Sequence, residues 1–299
     1  MMAQWEGKAK GTPLGYKIFI FFIKHLGLNA AYSILVFVAA YYVVFSFSTT
    51  RTSYFYFRKR LEQSFLESII SIYKNYFVFG QTLIDRTAIS FGLKDKFSFT
   101  YDGKEKVQAL LDKKTGGFVF SGHIGSFNIA RYFFDEFDMT DTAVNLMVTD
   151  QENEQIKEFV GAVSYDTNMR FIVIKDDMSH IFEMNDALGR GEVIVFASDR
   201  YVEGIQYIEQ EFLGKSVKFP SGPYKLAARK KKPMLFMYIM KGKNKQYHLY
   251  AKEPEFTADS IKPSHVLKEY VRNMEIMIKK YPLQWFNYYD YWEDLKSDS

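Results

Sequence analysis

The chain has 299 residues, no cysteine and a formal net charge of +4 at pH 7. This length fits one large domain, or one domain with an appendage. The lack of cysteine excludes disulfides, thiolate metal sites and a cysteine nucleophile. Aromatic residues make up 18% of the sequence, a share typical of an aromatic-rich core or of a protein that contacts a bilayer or acyl chains.

The first predicted element is an apolar segment near the N-terminus. Leu26–Phe47, LGLNAAYSILVFVAAYYVVFSF, carries no charged residue, and about 20 apolar residues suffice to cross the hydrocarbon core of a bilayer. Basic residues flank the segment on both sides, so the positive-inside rule does not fix its orientation. We expect a membrane anchor here. A buried core helix and a helix that inserts only partly into the membrane are the alternatives.

Helices and strands follow in a regular order. Apolar spacings of three and four predict helix from Thr52 to about Ile89, and Gly92–Asp102 is predicted to be a loop or an edge hairpin. Short β-branched or aromatic runs predict strands at Gly117–Ser121, Val144–Thr149, Phe171–Ile174, Val193–Ala197, Met234–Met240 and Tyr247–Ala251. Further helices are predicted at Asn128–Asp138, Asn153–Val163, Ser179–Arg190 and Ser264–Lys280. This alternation predicts an α/β fold with a mostly parallel twisted sheet covered by helices.

The stretch SGHIGSFNIA, residues 121–130, is the most distinctive motif of the chain. It follows a predicted strand, and ligands of parallel sheets bind beyond the carboxyl ends of the strands. Gly122 and Gly125 permit positive φ angles or a close backbone approach. Ser126 is a favourable N-cap for a helix that begins near Phe127. His123 is therefore a candidate general base, next to amides that could stabilise an oxyanion. The alternative is that His123 only caps the turn.

The segment GHIGSFN resembles a motif of the bacterial lipid A biosynthesis (lauroyl/myristoyl) acyltransferase family, part of the lysophospholipid acyltransferase superfamily. In that family a histidine is followed, after four further residues, by Asp or Glu. Three later segments are similar to family patterns in the same order, namely ASDR at residues 197–200, FLGKSVKFPSGPYKLAARKKKPML at 212–235 and YPLQWFNYYDYW at 281–292. The chain looks most like the branch found with aryl-polyene and flexirubin pathways.

The resemblance implies a glycerolipid acyltransferase-like fold and a membrane enzyme. It would move a fatty acyl group from a thioester on acyl carrier protein or coenzyme A to a hydroxyl or amine of a lipid acceptor. Residues 1–51 would be the membrane anchor and residues 52–299 the acyltransferase domain, on the cytoplasmic face of the inner membrane. No metal, other cofactor or nucleic acid is implied.

The resemblance also implies a set of site residues. His123 would be the general base, with Asn128 at the position of the family acid. From their charge, Arg200 and Lys225 are candidates to hold an anionic head group or a phosphopantetheine phosphate, and the alternative is that both are solvated surface charges. The residues expected to bind substrate are Gly122, Gly125, Ser126, Asp199, Arg200, Phe212, Gly214, Pro220, Gly222 and Lys225.

Asn128 is the one departure from the family pattern. An asparagine can orient an imidazole through its carbonyl oxygen, but it supplies no charge. Three outcomes follow: another carboxylate serves, with Asp199 and Glu203 as candidates; Asn128 suffices for an easier acceptor; or the enzyme is weak. The alternative function is a catalytically impaired relative that acts as a lipid-binding or scaffold protein.

Overall fold

The computed structural model describes residues 13–130, 133, 137, 142–149, 169–175, 177–256 and 261–292. For residues 13–20, 22–25 and 128 it describes the backbone alone. The chain divides into two compact units. The first, the helical unit, comprises Met1–Ser98, Glu211–Val217 and Ile278–Ser299, and the second, the sheet unit, comprises Phe99–Gln210 and Lys218–Met277. These two units differ from the predicted division after residue 51 into an anchor and a catalytic domain, which stays a prediction.

The helical unit begins with three helices. They are α1 (Pro13–Phe45), α2 (Phe47–Phe55) and α3 (Phe65–Ser90), with a π-helical turn at Tyr56–Arg60. The helix predicted from Thr52 to Ile89 is thus interrupted before α3. Ser64 explains the new start, because its hydroxyl accepts from the Glu67 amide and the Glu67 carboxylate accepts from the Ser64 amide. This reciprocal capping box stabilises the first turn of α3.

Helix α1 packs against α3 through one face. The buried residues of that face recur at helical spacing, namely Leu28, Ala31, Leu35 and Ala39. Gly80 of α3 leaves room for Leu35, since a Cβ at that glycine would lie 2.3 Å from Leu35 Cδ1. The Tyr32 hydroxyl donates to the buried Asp85 carboxylate of α3. Gly27 introduces a kink with φ of +81°, a conformation that favours glycine.

The opposite face of α1 is exposed and apolar. In the described part of the chain, Leu26–Phe45 is the one helical segment long and apolar enough to cross a membrane. Its exposed large side chains are Leu26, Val36, Phe37, Tyr41, Val44 and Phe45. The predicted segment ran to Phe47, but Ser46 has non-helical angles and separates α1 from α2.

An aromatic cluster forms the rest of the core of the helical unit. Trp285 packs against Tyr56 and Phe212, with ring centroids 4.9 Å and 5.5 Å away. The Trp292 indole stacks on Phe212 and donates a hydrogen bond of 3.1 Å to its carbonyl oxygen. The two tryptophans of the C-terminal aromatic run are therefore buried core residues.

The sheet unit is built on a seven-stranded sheet. The strands are β1 (Ser98–Asp102), β2 (Gly117–Ser121), β3 (Val144–Thr149), β4 (Met169–Ile174), β5 (Val193–Ala197), β8 (Met234–Lys241) and β9 (Gln246–Lys252), in the order β1-β9-β8-β2-β5-β3-β4. Strand β2 is parallel to β5 and β8, and β3 is parallel to β4 and β5, whereas β9 is antiparallel to β8. The predicted mostly parallel α/β fold is confirmed.

Four helices and one hairpin follow or separate these strands along the chain, and the tip of the hairpin, Glu211–Val217, belongs to the helical unit. The helices are α4 (Lys104–Asp112), α5 (Ser179–Gly189), α6 (Ser221–Lys230) and α7 (Pro263–Lys280), and the hairpin is formed by β6 (Tyr207–Phe212) and β7 (Lys215–Pro220). Its two turn residues, Leu213 and Gly214, have φ of +50° and +80°, as a tight primed turn requires. Of the predicted helices, Asn153–Val163 and most of Asn128–Asp138 lie outside the described residues.

Aromatic packing fixes the carboxyl ends of the central strands. Phe120 of β2 contacts Phe196 of β5 and Phe236 of β8, with ring centroids 5.6 Å and 6.0 Å away. Two buried tyrosines of the covering helices, Tyr224 of α6 and Tyr270 of α7, lie 5.7 Å and 6.1 Å from the same ring. The residues that follow β2 and β5 therefore begin from tightly packed strand ends.

Candidate active site

The candidate site forms where two neighbouring parallel strands end. Ser121, the last residue of β2, is in register with Ala197, the last residue of β5. His123 follows β2 by two residues, and Asp199 follows β5 by two residues. Because the strands run in the same direction and end at the same level, the two side chains reach the same place.

His123 and Asp199 are joined by two hydrogen bonds. The ring nitrogen Nδ1 of His123 lies 2.8 Å from Oδ1 of Asp199, and the backbone amide of His123 donates to Oδ2 at 2.9 Å. The histidine side chain is 24% exposed, whereas the aspartate side chain is only 1% exposed. The imidazole therefore reaches the surface while its carboxylate partner stays buried.

The charge state of Asp199 determines which ring nitrogen of His123 carries the proton. Burial by itself would raise the pKa of Asp199, but the charge of His123, its hydrogen bonds and Arg200 together hold that pKa below its usual value. An ionised carboxylate only accepts hydrogen bonds, so Nδ1 of His123 carries the donated proton. In the neutral ring Nε2 then bears the lone pair, which is the state that a general base requires.

Gly122 allows the pair to lie next to α7. A Cβ on Gly122 would lie 2.8 Å from the Tyr270 hydroxyl and 3.0 Å from Cγ of Asp199. Both distances are shorter than a methyl group tolerates. Gly122, predicted to bind substrate, thus has a packing role in the site itself.

Gly125 brings the turn against β8. Its φ is +71°, and a Cβ there would lie 2.2 Å from the carbonyl oxygen of Ile239. The next residue, Ser126, donates its backbone amide to the same carbonyl oxygen at 2.7 Å. The turn after His123 is therefore fixed to the sheet by backbone contacts that need glycine.

Ser126 occupies the N-cap position, but the predicted capping bond is absent. Its side chain makes no cap hydrogen bond to the 3-10 turn Phe127–Ile129, and its buried hydroxyl has no partner among the described residues. The expectation that Ser126 caps through its side chain is wrong. The hydrogen bond from its backbone amide to the Ile239 carbonyl oxygen holds the residue in place instead. Because the Ser126 amide donates to Ile239, it is not available to stabilise an oxyanion. Asn128 lies in the same turn, but its side chain is outside the described residues.

The residues after Asp199 continue the site as a polar loop. Arg200 is half-buried, and its charge contributes to the lowered pKa of Asp199. Glu203, the other candidate carboxylate, is exposed. Of the two candidates, Asp199 is the one with a described hydrogen bond to His123.

The base of the hairpin and α6 adjoin this loop. The Lys225 ammonium donates to the side chain of Gln206 at 2.7 Å, and the Gln206 carbonyl accepts from the Ser221 amide at 2.9 Å. Pro220 ends β7 just before α6, and Gly222 in the first turn of α6 is exposed, with open space where a Cβ would be. These predicted substrate residues belong to the sheet unit, as His123 does.

Two other predicted substrate residues belong to the helical unit. Phe212 is fully buried among the rings of Trp285, Tyr291 and Trp292, and Gly214 forms the hairpin turn. The observed contacts give Phe212 a core packing role, and substrate binding by both residues stays a prediction.

The sequence reasoning missed several residues around the site. Lys218 lies over the rings of Tyr201 and Tyr207, at 5.8 Å and 5.0 Å from their centroids. Tyr224 and Tyr270 donate to the carbonyl oxygens of Ser198 and Ser121. The sequence pattern of Ser264–Lys280 predicted an amphipathic helix, and nothing in the spacing of these tyrosines shows that their hydroxyl groups contact the strand ends.

The fold and the site together define an α/β protein with a histidine–carboxylate pair at the carboxyl edge of its sheet, an arrangement that general-base enzymes use. The model of the bacterial lipid A biosynthesis acyltransferase family matches residues 17–293. The chain therefore belongs to that family and is an acyltransferase that acts on lipid. The match confirms the resemblance, and the aryl-polyene or flexirubin branch stays a prediction. A comparison with curated proteins finds no match.

Proposed function

We propose that the chain transfers a fatty acyl group from an acyl thioester to a hydroxyl or amine of a lipid acceptor, with His123 as the general base. Acyl carrier protein or coenzyme A would carry the donor acyl group. The observation that supports this most is the bond from Nδ1 of His123 to the buried Asp199 carboxylate. It leaves Nε2 as the basic atom of the neutral ring.

The proposed reaction is a direct transfer. Nε2 of His123 takes the proton of the acceptor group as the acceptor oxygen or nitrogen attacks the thioester carbonyl carbon. The tetrahedral intermediate then collapses, the carbon–sulfur bond breaks, and the departing thiolate takes the proton back from the imidazolium. Asp199 stabilises the imidazolium between these steps. This route needs no covalent enzyme intermediate, in accord with a chain that lacks cysteine.

Cationic side chains near the pair are proposed to bind an anionic group of a substrate. Arg200 directly follows Asp199, and Lys225 is held by a neutral side chain, Gln206. Lys218 joins them, because two tyrosine rings fix its position and the described residues show no carboxylate beside it. An ammonium held only by neutral groups keeps its charge for a phosphate. Gly122, Gly125, Ser126, Pro220 and Gly222 would shape the same part of the site.

Asn128 has a minor role in the proposed mechanism. The interpretation of the chain as an impaired lipid-binding or scaffold relative depended on the loss of the family acid at this position. Since Asp199 contacts Nδ1 of His123 at 2.8 Å, a carboxylate is present without it. Asn128 would then help to orient the ring or the turn.

The enzyme is proposed to work at the cytoplasmic face of the inner membrane. The apolar segment Leu26–Phe45 and its exposed aromatic side chains support insertion of α1. The basic run Arg229–Lys232 would add attraction to anionic lipid, at about 1 kcal/mol for each residue near the surface. Residues 1–51 would be the anchor and residues 52–299 the acyltransferase domain.

The test is an acyl transfer assay with two donors of the same chain length, a labelled acyl carrier protein and the corresponding acyl coenzyme A, on a lipid extract of the host. His123→Ala should abolish transfer from whichever donor the wild type uses. His265→Ala, at an exposed position of α7, is the matched control and should keep the wild-type rate. Activity that survives in His123→Ala while circular dichroism shows an intact fold would reject His123 as the base.

A further inference from the structure

Tyr270 of α7 holds the strand end that carries His123. Its hydroxyl donates to the carbonyl oxygen of Ser121 at 2.7 Å, two residues before the histidine. The ring is fully buried and packs between Phe120 and Phe219, whose centroids lie 6.1 Å and 6.4 Å away. A buried ring with this packing fixes its hydroxyl in one place.

Tyr224 of α6 does the same for the strand end that carries Asp199. Its hydroxyl donates to the carbonyl oxygen of Ser198 at 3.0 Å and also lies 3.2 Å from the Ser198 hydroxyl. Burial raises the pKa of Tyr224 well above its usual range, against the effect of the Ser198 bond, so the hydroxyl keeps its proton and remains a donor.

The two strand ends are also tied to each other. The amide of Ser198 donates to the carbonyl oxygen of Ser121 at 3.2 Å, the same atom that accepts from Tyr270. The rings of Tyr224 and Tyr270 lie 5.9 Å apart. One continuous set of contacts therefore links α6, the end of β5, the end of β2 and α7.

The lack of space for a Cβ at Gly122 shows how close this set of contacts lies to the carboxylate. A Cβ on Gly122 would touch both the Tyr270 hydroxyl and Cγ of Asp199. Tyr238 of β8 is also buried there, and its hydroxyl has no partner in the described part of the chain. Burial, and then the charges of Asp199 and Tyr224, raise the pKa of Tyr238 well above the usual range. Tyrosine hydroxyls thus surround the buried half of the pair.

We propose that Tyr270 and Tyr224 are positioning residues, whose hydroxyls hold the ends of β2 and β5 at the separation that the His123–Asp199 hydrogen bonds require. They touch no reacting atom, and they act through the backbone on the base. The inference rests on the proposed function of His123. Its physical ground is that a displacement of about 1 Å of a catalytic group can lower the rate about a hundredfold.

The test uses Tyr270→Phe and Tyr224→Phe in the full-length enzyme. Each variant keeps the ring and removes only the hydroxyl, so the packing of the core is retained. We expect kcat to fall about 10- to 100-fold, with the KM for the donor within about twofold, because substrate contacts are unchanged. Nuclear magnetic resonance of ¹⁵N-labelled histidine should show weakening of the hydrogen-bonded Nδ1 proton signal of His123 in both variants.

Tyr56→Phe is the matched control. Tyr56 is also buried and its hydroxyl also donates to a backbone carbonyl, that of Pro282, at 3.0 Å, but in the helical unit. This variant should lose thermal stability about as the others do, while its kcat and the His123 signal stay unchanged.

The outcomes separate the two hypotheses. If His123→Ala abolishes transfer while both Tyr→Phe variants keep the wild-type kcat and Nδ1 signal, the positioning role is rejected and the proposed function stands. If His123→Ala itself retains activity, the proposed function fails instead. Should one of the two variants not fold, the other still tests the hydroxyl at its own strand end. An unchanged kcat and Nδ1 signal in that variant would then count against the positioning role.

Discussion

Nδ1 of His123 lies 2.8 Å from Oδ1 of Asp199, although the two residues are 76 positions apart in the chain. The family pattern puts an acid five residues after the histidine, on the same turn. Here a carboxylate two residues past the end of the neighbouring parallel strand makes the bond instead. The geometry is that of a base with its orienting acid, and it makes Asp199 the first residue to test.

Asp199→Asn should abolish most of the activity with a modest effect on the fold. The amide is nearly isosteric, but it cannot stabilise an imidazolium and it can force the wrong ring tautomer, a change that costs about 10⁴-fold in kcat in serine proteases. The measurement is kcat with the preferred donor, alongside the melting temperature. Glu203→Gln, at an exposed carboxylate of the same loop, is the control and should stay near the wild type. A rate within a few fold of the wild type in Asp199→Asn would mean that the carboxylate is not needed.

The lowered pKa of Asp199 gives a pH dependence of stability with a definite sign. A carboxylate whose folded pKa is below its unfolded value of 3.8 stabilises the fold fully above that pH. The contribution is lost as the pH falls through the folded pKa, because the native state must then take up a proton. The difference in free energy of unfolding between the wild type and Asp199→Asn should therefore shrink as the pH falls below the unfolded pKa. A difference that grows as the pH falls below that value would contradict the assignment.

Much of this fold can be predicted from the sequence. The parallel register of β2 and β5 explains why the His123–Asp199 pair was also among the predicted possibilities. The bounds predicted for β2, β3 and β5 are those observed, since short β-branched and aromatic runs between turns are characteristic of buried parallel strands. Once β2 and β5 are neighbours, His123 and Asp199 both lie two residues past their strands. The order of the strands is the part that local patterns do not contain, so Asp199 remained one of two candidates.

The parts that escaped prediction depend on contacts distant in sequence. Ser126 was expected to cap a helix, but the carbonyl of Ile239, on a strand more than a hundred residues later, accepts its amide. The hairpin of β6 and β7 mixes charged, polar and apolar residues without strict alternation, around a turn without Asn-Gly, so its sequence signal was weak. Tyr224 and Tyr270 look like ordinary core residues until the partners of their hydroxyls are known.

Gly125→Ala should lower both stability and activity. A Cβ would lie 2.2 Å from the Ile239 carbonyl at a φ of +71°, so the turn after His123 must move. We expect a loss of about 1–3 kcal/mol in the free energy of unfolding together with a fall in kcat. Gly189→Ala is the control, because it has open space and an ordinary φ and should be neutral or slightly stabilising. Equal behaviour of the two variants would show that the close approach to β8 is not needed.

The exposed face of α1 should determine membrane attachment. Phe37→Lys combined with Val44→Lys places two charges on this face, where the side chains are 76% and 67% exposed, and leaves the face packed on α3 unchanged. A charge at the centre of a membrane helix, where Phe37 lies, costs about 2.5–3.5 kcal/mol, and the second charge at Val44 adds to it near the end of the segment. The variant should therefore shift from the membrane pellet towards the soluble fraction after a carbonate wash. Phe91→Lys, at an exposed position after α3, is the control. An unchanged distribution would assign attachment to another part of the chain.

Restoring the family acid at position 128 distinguishes the two sources of a carboxylate. Because Asp199 already bonds to Nδ1 of His123, Asn128→Asp and Asn128→Glu should change kcat by no more than a few fold in the wild-type background. In the Asp199→Asn background the same substitutions should recover part of the lost rate, if a carboxylate at position 128 can reach the ring. The four combinations, assayed with the same labelled donor and checked by circular dichroism, form a double-mutant cycle. A large gain from Asn128→Asp alone would contradict this view, since it would mean that Asp199 does not supply the charge the base requires.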